Sequence, residues 1–530
     1  MRNPAIAKIP TLTNMIRVRA LHTPNSRAFL APDRSWTFAE IHEASNRMAQ
    51  GLRELGLKPG DRIGCYTRNS VECVVSLLAA AKLGAACAVF NWRLAAPELE
   101  YVVNQSEARF LLTDTGLLPM LEKIRTPLAG SRKLTDSVDP EFSLMLWRNK
   151  QPDLDTGHDP SPQDTVLQLN SSGTTGLPKS VEISHYSLIT QCNRIGPLFG
   201  YTEAAEFVML NALPNFHVSG MVNMLSTLFE GGVSVCYPEF VPANVVDAFG
   251  KHRITHTFLV PAMIQFLLEV PGVERADFSS LKAINYGGSP IAEAVLVKAM
   301  KVFGCEFYQV YGMTEMGGSF SILPPKDHDP DGPKAHLLRS AGKVVNGFDL
   351  RIVDPSTGAA QKDGETGEIW ARSDTLMNGY FRNPEATAAV FPQGRGSGAA
   401  WYRTGDAGCL KEGYIYIQDR VKDMIISGGE NIYPAEIENA LLGHPDVQEA
   451  AVIGVPDDRW GESVKACVVI RTGRPVSAPE LIAFCRDRLA GYKCPKSVDF
   501  VATLPRNPSG KLLKRILREP YWAGRERKIA

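Results

Sequence analysis

Apolar residues recur at two- to four-residue intervals through Trp36, Phe38, Ile41, Ala44, Met48, Leu52 and Leu55, a spacing that predicts a helix with one buried face. Thr37 precedes Glu40 by three places, the signature of a capping box at the helix start. After the turn KPGD at 58–61 the period changes. RIGCYT reads as a strand, 71–82 as a helix and 86–90 as a strand, and the alternation continues through ARFLLTD, EFVMLNA, VSVCYP, HTFLVP, KAINYGG and EFYQVYG. Such an order predicts α/β architecture. Short Val, Ile and Phe runs bounded by Gly and Pro suit interior strands covered by helices on both faces.

From about residue 340 the helical pattern fades. GKVVNGFDLRIVD, GETGEIWARS and GYIYIQDR predict a β-subdomain over about 340–418, made of short strands joined by Gly-rich turns. A second change falls near Asp419. Beyond it, 434–442 reads as a helix entered by proline, followed by the strands VQEAAVIGV and SVKACVVIR, a helix at 479–489 and a last strand near 498–502. The expected division is 1–418 and 419–530, the second part a compact α+β module. The polar stretch 132–164, rich in Asp, Pro and Ser, is expected to cross the surface.

Composition narrows the class. A chain of 530 residues suits two or three domains. Lys plus Arg equals Asp plus Glu at 57 each, so no global field draws the chain to nucleic acid or anionic membrane. The 10 cysteines form no CxxC pair, which argues against a zinc knuckle or disulfide scaffold and for a reducing compartment. The first residues lack the continuous apolar core of a signal peptide. Segment 73–90 is interrupted by Lys82 and Gly84 and reads as a packed helix and strand, not a membrane span. A cytoplasmic protein with no integral membrane segment is expected.

The sharpest local signal is SSGTTGLPKS, just after the strand-like VLQLN. Gly173 and Gly176 permit tight turns that present N–H groups, Ser171, Ser172, Thr174 and Thr175 add hydroxyls, and Lys179 adds a cation. That inventory suits a polyphosphate, although a flexible polar turn has the same composition, and GxxxxGK[ST] is not matched. Tyr286, Gly287, Gly288, Ser289 and Pro290 end one strand, and Tyr311, Gly312, Met313, Thr314 and Glu315 follow another. Ligands of parallel sheets gather at such C-terminal ends. A tyrosine can stack on a base and a carboxylate can hold Mg²⁺, but a packing tyrosine at a sheet edge reads the same way. Asp406 in YRTGDAG and Arg420 in QDRVKD offer a sugar acceptor and a donor, or surface turns. Lys511 follows a Ser-Gly turn and precedes a basic helix, which alone reads as a solvated face.

Taken together, SSGTTGLPK, YGMTE, YRTGD, DRVKDMIISGGENIYPAEIE and PRNPSGKLLKR resemble the acyl-adenylate-forming CoA ligases, the family that also holds luciferases and peptide-synthetase adenylation domains. The resemblance spans about residues 20–519. It implies a large N-terminal domain of two α/β subdomains plus a β-barrel-like subdomain, closed by a small mobile C-terminal domain. It implies ATP, Mg²⁺ and coenzyme A as cofactors, and a small carboxylic acid as substrate. Residue by residue, Ser172, Gly173, Thr174, Thr175, Gly176 and Lys179 match the phosphate loop. Gly288, Ser289 and Pro290 match the adenine-side segment, Tyr311 the adenine-stacking aromatic followed by Gly312 and Met313, and Thr314 and Glu315 the phosphate and Mg²⁺ pair. The resemblance implies Thr174 as a further metal contact. Asp406 and Arg420 match ribose contacts, Lys422 a hinge, Gly428 and Gly429 the loop facing CoA, and Lys511 the catalytic lysine. His217 matches the residue between the acyl and nucleotide pockets. Ser180 departs from the glycine found there in many members.

The resemblance implies attack of the substrate carboxylate on the α-phosphorus of ATP, release of pyrophosphate, and then transfer of the acyl group to CoA. Lys511, Thr174, Glu315 and His217 are the expected catalytic set. The acyl pocket is expected among His217, Ser219, Gly220, Met221, Asn223, Tyr286, Gly287, Gly312, Gly318, Ser319 and Phe320. The small residues there leave room for a long or planar group, and no Lys or Arg of the set would pair with a second carboxylate. Local wording favours a medium- or long-chain fatty acid, with aryl acids such as ferulate, coumarate or benzoate as the alternative. A nucleotide-binding protein without turnover is the reading from another class. An adenylation domain should lead into a carrier domain, and an RNA ligand protein should carry a basic field. A monomer or homodimer is expected.

Overall fold

The computed structural model describes residues 9–130, 133–135, 143–171, 177–201, 207–355, 357–395, 400–428, 430–471, 473–474, 476–506 and 512–523. Its opening elements follow the apolar pattern. Thr37 caps the helix Phe38–Glu54: its side chain accepts from the Glu40 amide at 3.2 Å, and the Glu40 carboxylate accepts from the Thr37 amide at 2.7 Å. Two otherwise unpaired amides are thereby satisfied.

Two large sheets form the N-terminal domain. One has nine strands, with Glu306–Met313, Ala283–Gly287, His256–Leu259, Val208–Asn211, Val233–Cys236 and Arg27–Leu30 parallel in that order. The other has seven, with Thr165–Ser171, Ala86–Val89, Arg62–Tyr66 and Ala108–Thr113 parallel and Lys179–Ser184 antiparallel beside them. The helices Val71–Ala81 and Val218–Glu230 are buried along nearly their whole length, and their side chains join one core that reaches both sheets. Each Val, Leu, Met or Phe side chain so buried contributes about 1.5–3 kcal/mol.

A four-stranded antiparallel sheet follows, Phe348–Val353, Gly367–Ser373, Tyr402–Lys411 and Tyr414–Arg420 in sequence order. Among the described residues it stays open, its outer strands unpaired with each other. The strand Lys343–Val344, expected in this unit, instead extends the nine-stranded sheet through Ser321 and Ile322. The smaller C-terminal α+β domain is built on the hairpin Val447–Asp457 and Gly461–Ile470, with Ser497–Phe500 parallel to the latter. The helices Pro434–Leu442 and Ala478–Arg486 pack on one face of it, while Leu512 and Leu517 pack on a second cluster with Ala451 and Ile453.

The segment 132–164 departs from expectation. It contains the helix Leu144–Asn149, capped by Ser143, with Leu144, Trp147 and Arg148 buried. Arg148 pairs with Glu72 at 2.5 Å. Within LMLW, Leu144 and Trp147 supply the buried apolar surface that the polar average of the segment concealed. All ten cysteines are free thiols, eight of them buried. Among the described residues, no helix is long and apolar enough to cross a membrane.

Candidate active site

Antiparallel pairing brings the nucleotide-side candidates together. Asp406 lies directly opposite Arg420 in adjoining strands, and the Arg420 Nε donates to Asp406 Oδ1 at 2.7 Å. The Tyr311 hydroxyl, from the neighbouring nine-stranded sheet, donates to Asp406 Oδ2 at 2.5 Å. Asp406 raises the Arg420 pKa, and burial followed by the Asp406 charge raises that of Tyr311. The Tyr311 ring packs on Phe320 with centroids 4.9 Å apart. A sugar hydroxyl reaching Asp406 therefore shares acceptors already in use, which the second lone pair of each oxygen permits.

Glu315 occupies the short turn Thr314–Met316 directly after the Tyr311 strand and is 8% exposed. Its Oε1 accepts from the Tyr380 hydroxyl at 3.0 Å, and its backbone carbonyl accepts from the Met377 amide at 2.8 Å. The Glu315 charge acts on Arg420, and the Arg420 charge acts on Tyr380, so the two clusters adjoin. Lys179 opens the strand Lys179–Ser184, opposite Ser171, and its Nζ lies 5.0 Å from the Tyr380 ring centroid. The base of the glycine-rich turn is thus fixed by strand pairing. Ser180 is buried, with its hydroxyl 2.8 Å from Asn170 Oδ1 and 3.2 Å from Gln105 Oε1. Its side chain buttresses that base. Ser172, Gly173, Thr174, Thr175 and Gly176 lie outside the described residues, as do Gly429 and Lys511.

Gly288, Ser289 and Pro290 are exposed at the end of the strand Ala283–Gly287, with Gly288 at φ +82°. Gly312, Met313 and Thr314 are half-buried beside them. Not every small residue makes room for a substrate: a Cβ at Gly287 would lie 2.1 Å from Val310 O, and one at Gly312 would lie 2.1 Å from Gly318 O. At these two positions the missing side chain admits neighbouring backbone, which corrects the expectation that they enlarge the acyl pocket.

On the acyl side, His217 stands at the N-terminus of the helix Val218–Glu230. Its Nε2 is shielded from solvent and has no partner among the described residues. Burial, then the charge of Arg93, lowers its pKa to about 4. Arg93 lies on the loop after the strand Ala86–Val89, so the fold brings near this region a cation that sequence position placed far from it. Ser219, Gly318 and Ser319 adjoin Met221, Asn223 and Phe320 in sequence, and the last three are buried. Tyr286 is fully buried, and its hydroxyl donates to His328 Nε2 at 3.0 Å while His328 Nδ1 donates to Pro324 O at 3.0 Å. Burial lowers the His328 pKa to about 4, which keeps it the neutral acceptor.

Lys422 lies in the turn Val421–Asp423, where Arg518 donates to its carbonyl at 3.4 Å and pairs with Asp423 at 2.9 Å. Gly428, at φ +61°, donates its amide to Trp460 O at 2.8 Å. Sequence reasoning missed Tyr380, Tyr402, His328 and Arg93. Tyr402 opens the YRTGD motif but was passed over for Asp406; the other three stand in no motif, and the fold brings them to the site from distant segments.

Fold and site together define a nucleotide-using enzyme with a large α/β domain and a small C-terminal α+β domain. Residues 16–381 match the model of the AMP-binding enzyme family and residues 436–511 that of the AMP-binding enzyme C-terminal domain. The chain belongs to the AMP-binding enzyme family, as an enzyme of the acyl-CoA synthetase type. It is 36% identical over 531 residues to the fatty acid–[acyl-carrier-protein] ligase ScoC of Streptomyces coeruleorubidus, covering 98% of each chain. It is 37% identical over 527 residues to a feruloyl-CoA synthase of an Amycolatopsis species, covering 98% of this chain and 100% of that one. Among solved structures it resembles ATP-bound MatB from Rhodopseudomonas palustris, with a TM-score of 0.86, 29% identity, and 96% and 99% of the two chains covered.

Proposed function

We propose that the protein is an ATP-dependent acid–CoA ligase, forming an acyl-adenylate with release of pyrophosphate and then a thioester with release of AMP. The observation that carries this reading is the junction of Tyr311–Asp406–Arg420 with Glu315–Tyr380 where strands of the large sheet end. Such an end is a site for a nucleotide. Tyr311, with Gly288, Ser289 and Pro290, borders the adenine, and Asp406 and Arg420 hold the ribose. Lys179, Thr314 and the loop residues Thr174 and Thr175 receive the phosphates. The carboxylate of Glu315 and neighbouring hydroxyl oxygens are hard donors that suit Mg²⁺. Bound there, the ion supplies charge neutralisation at the phosphates.

The chemical difficulty is electrostatic, because a carboxylate must approach a polyanion. Lys511 is the cation that offsets this in adenylation. The small domain, beginning near Asp419, then turns about Lys422 to withdraw Lys511 and present Gly428 and Gly429 to the thiol, and closure excludes water from the adenylate. His217, neutral through burial, separates the acyl and nucleotide pockets.

The acid is a medium- or long-chain fatty acid. The likeness to a fatty-acid ligase supports this, as does the apolar character of Met221 and Phe320. A second reading, an aryl acid, is favoured by the comparable likeness to a feruloyl-CoA synthase. Pyrophosphate exchange and thioester formation across C6 to C18 fatty acids, cinnamates and benzoates, with CoA and with a phosphopantetheinylated carrier protein as acceptors, decide between them through kcat/KM. A higher ratio for aryl acids overturns the first reading. No exchange with any acid overturns the enzyme reading itself.

A further inference from the structure

We infer that Tyr380 is a positioning residue that aims the Glu315 carboxylate at the metal ion. The inference rests on the proposed role of Glu315. A carboxylate turns easily about its last side-chain bond, because that torsion is broad. In this structure one oxygen is held: Oε1 accepts from the Tyr380 hydroxyl at 3.0 Å, while Oε2 has no partner among the described residues. One fixed oxygen sets the carboxylate plane and directs the other.

Tyr380 is itself fixed from several sides. It is 7% exposed. The short strand Gly379–Tyr380 pairs with Val181 and Glu182, directly beyond Lys179, and the Tyr380 amide donates to Thr387 Oγ1 at 2.9 Å. On one side of it the Met377 amide donates to Glu315 O at 2.8 Å, and on the other the Phe381 amide donates to Ser180 O at 2.8 Å. Arg395 ties the segment down by donating to Met377 O and Leu376 O at 2.8 and 2.9 Å. Tyr402, 3% exposed, sets its hydroxyl beside that of Tyr380. Segment 376–381 is therefore a rigid strut between the strand that leaves the glycine-rich turn and the turn that carries Glu315. A hydroxyl on such a strut orients a ligand without touching the nucleotide, a role whose loss costs about 10–100-fold in metal affinity or activity.

Tyr380→Phe removes this hydroxyl and keeps the ring beneath Lys179. The Mg²⁺ concentration for half-maximal pyrophosphate exchange should rise about 10–100-fold. Calorimetric ATP affinity should fall when Mg²⁺ is present, and stay within about twofold in EDTA, where no metal is there to be aimed. A purely structural role would weaken ATP binding equally in both conditions. Tyr402→Phe, one hydroxyl further out, should give a smaller shift in the same direction, and it tests the strut should Tyr380→Phe fold poorly. Glu315→Gln separates the two readings. If Glu315→Gln abolishes the Mg²⁺ dependence and neither tyrosine variant shifts it, the inference about Tyr380 is overturned and that about Glu315 stands. If Glu315→Gln leaves the dependence unchanged, both fall.

Discussion

Replacing Lys514 by Met tests how the small domain is joined to the large one. Lys514 Nζ donates to Asp419 Oδ2 at 3.0 Å and pairs with Glu438 Oε1 at 2.9 Å, and the three side chains are only 10%, 8% and 15% exposed. Asp419 lies one residue before the end of the last strand of the open β-sheet, Glu438 lies on the helix Pro434–Leu442, and Lys514 opens the last described helix, Lys514–Trp522. Removing one partner leaves two buried carboxylates facing each other, which costs about 3–5 kcal/mol. Asp419 keeps the amides of Arg420 at 2.7 Å and Ala435 at 3.1 Å, and Glu438 keeps that of Val452 at 2.7 Å, so the lower end of the range applies. For a module of about 100 residues, a loss of that size lowers its melting transition by at least about 10 °C.

The defect should depend on pH with a defined sign. Burial already raises the Glu438 pKa, and the Lys514 charge lowers it. Without Lys514 the folded-state pKa rises further above the unfolded value, so the folded variant binds a proton more tightly than its unfolded chain. The destabilisation should therefore shrink as pH falls from 7 toward the unfolded glutamate value. Calorimetry and urea melts of the full chain at several pH values measure both effects. A loss below about 1 kcal/mol would place the cluster among weak surface pairs, and a loss that is the same at every pH would refute the electrostatic account.

Lys511→Ala should damage adenylation far more than thioester formation from supplied acyl-adenylate, and equal losses in separate half-reaction assays would count against its role. Gly287→Ala must push the strand that holds Val310 O away from a contact of 2.1 Å; a destabilisation of about 1–3 kcal/mol in urea melts, with a raised KM for ATP, is expected, and an unperturbed variant would contradict the close approach. Burial lowers the pKa of His42, His217, His256 and His328 to about 4 and that of His185 to about 3. Below pH 6.5 the unfolded chain binds these protons and the folded chain does not, so stability should fall as pH drops from about 6.5 to about 4, each group adding up to about 1.4 kcal/mol per pH unit. A flat stability profile across that window would refute the neutral burial of these imidazoles.

Much of the fold was legible because its signals are local. The Thr37 and Glu40 pair specifies a helix start whatever surrounds it, and Pro434 marks the helix Pro434–Leu442 where the pattern placed it. Asp406 and Arg420 were legible as candidates, but their pairing is a matter of register: the hairpin of Tyr402–Lys411 and Tyr414–Arg420 sets them opposite each other. What was not legible is tertiary. Tyr380 matters because its strand pairs with residues 181 and 182, about two hundred positions earlier. Gly287 and Gly312 look like open space in the sequence and are occupied by backbone in the fold. Helix Leu144–Asn149 was hidden because one apolar tetrad sits within a long polar average.

The charges of the described site bear on which groups must act. Arg420 is committed to Asp406 and lies in the field of Glu315, and Lys179 stands over the ring of Tyr380, whose hydroxyl donates to the same Glu315 carboxylate. Two cations against two carboxylates leave little net positive charge to meet a triphosphate, and on the proposed reading only Lys179 of the two is turned to the phosphates. On the proposed reading such a site would hold the adenosine half of the nucleotide by shape and hydrogen bonding, whereas joining a carboxylate to the phosphate chain requires further positive charge. On the proposed reading that charge comes from Lys511 and the metal ion. Loss of Lys511 should therefore lower kcat for adenylation while leaving the affinity for AMP, which lacks the extra phosphates, nearly unchanged. An equal loss of AMP binding would mean that Lys511 acts on the nucleotide itself and not on the developing charge.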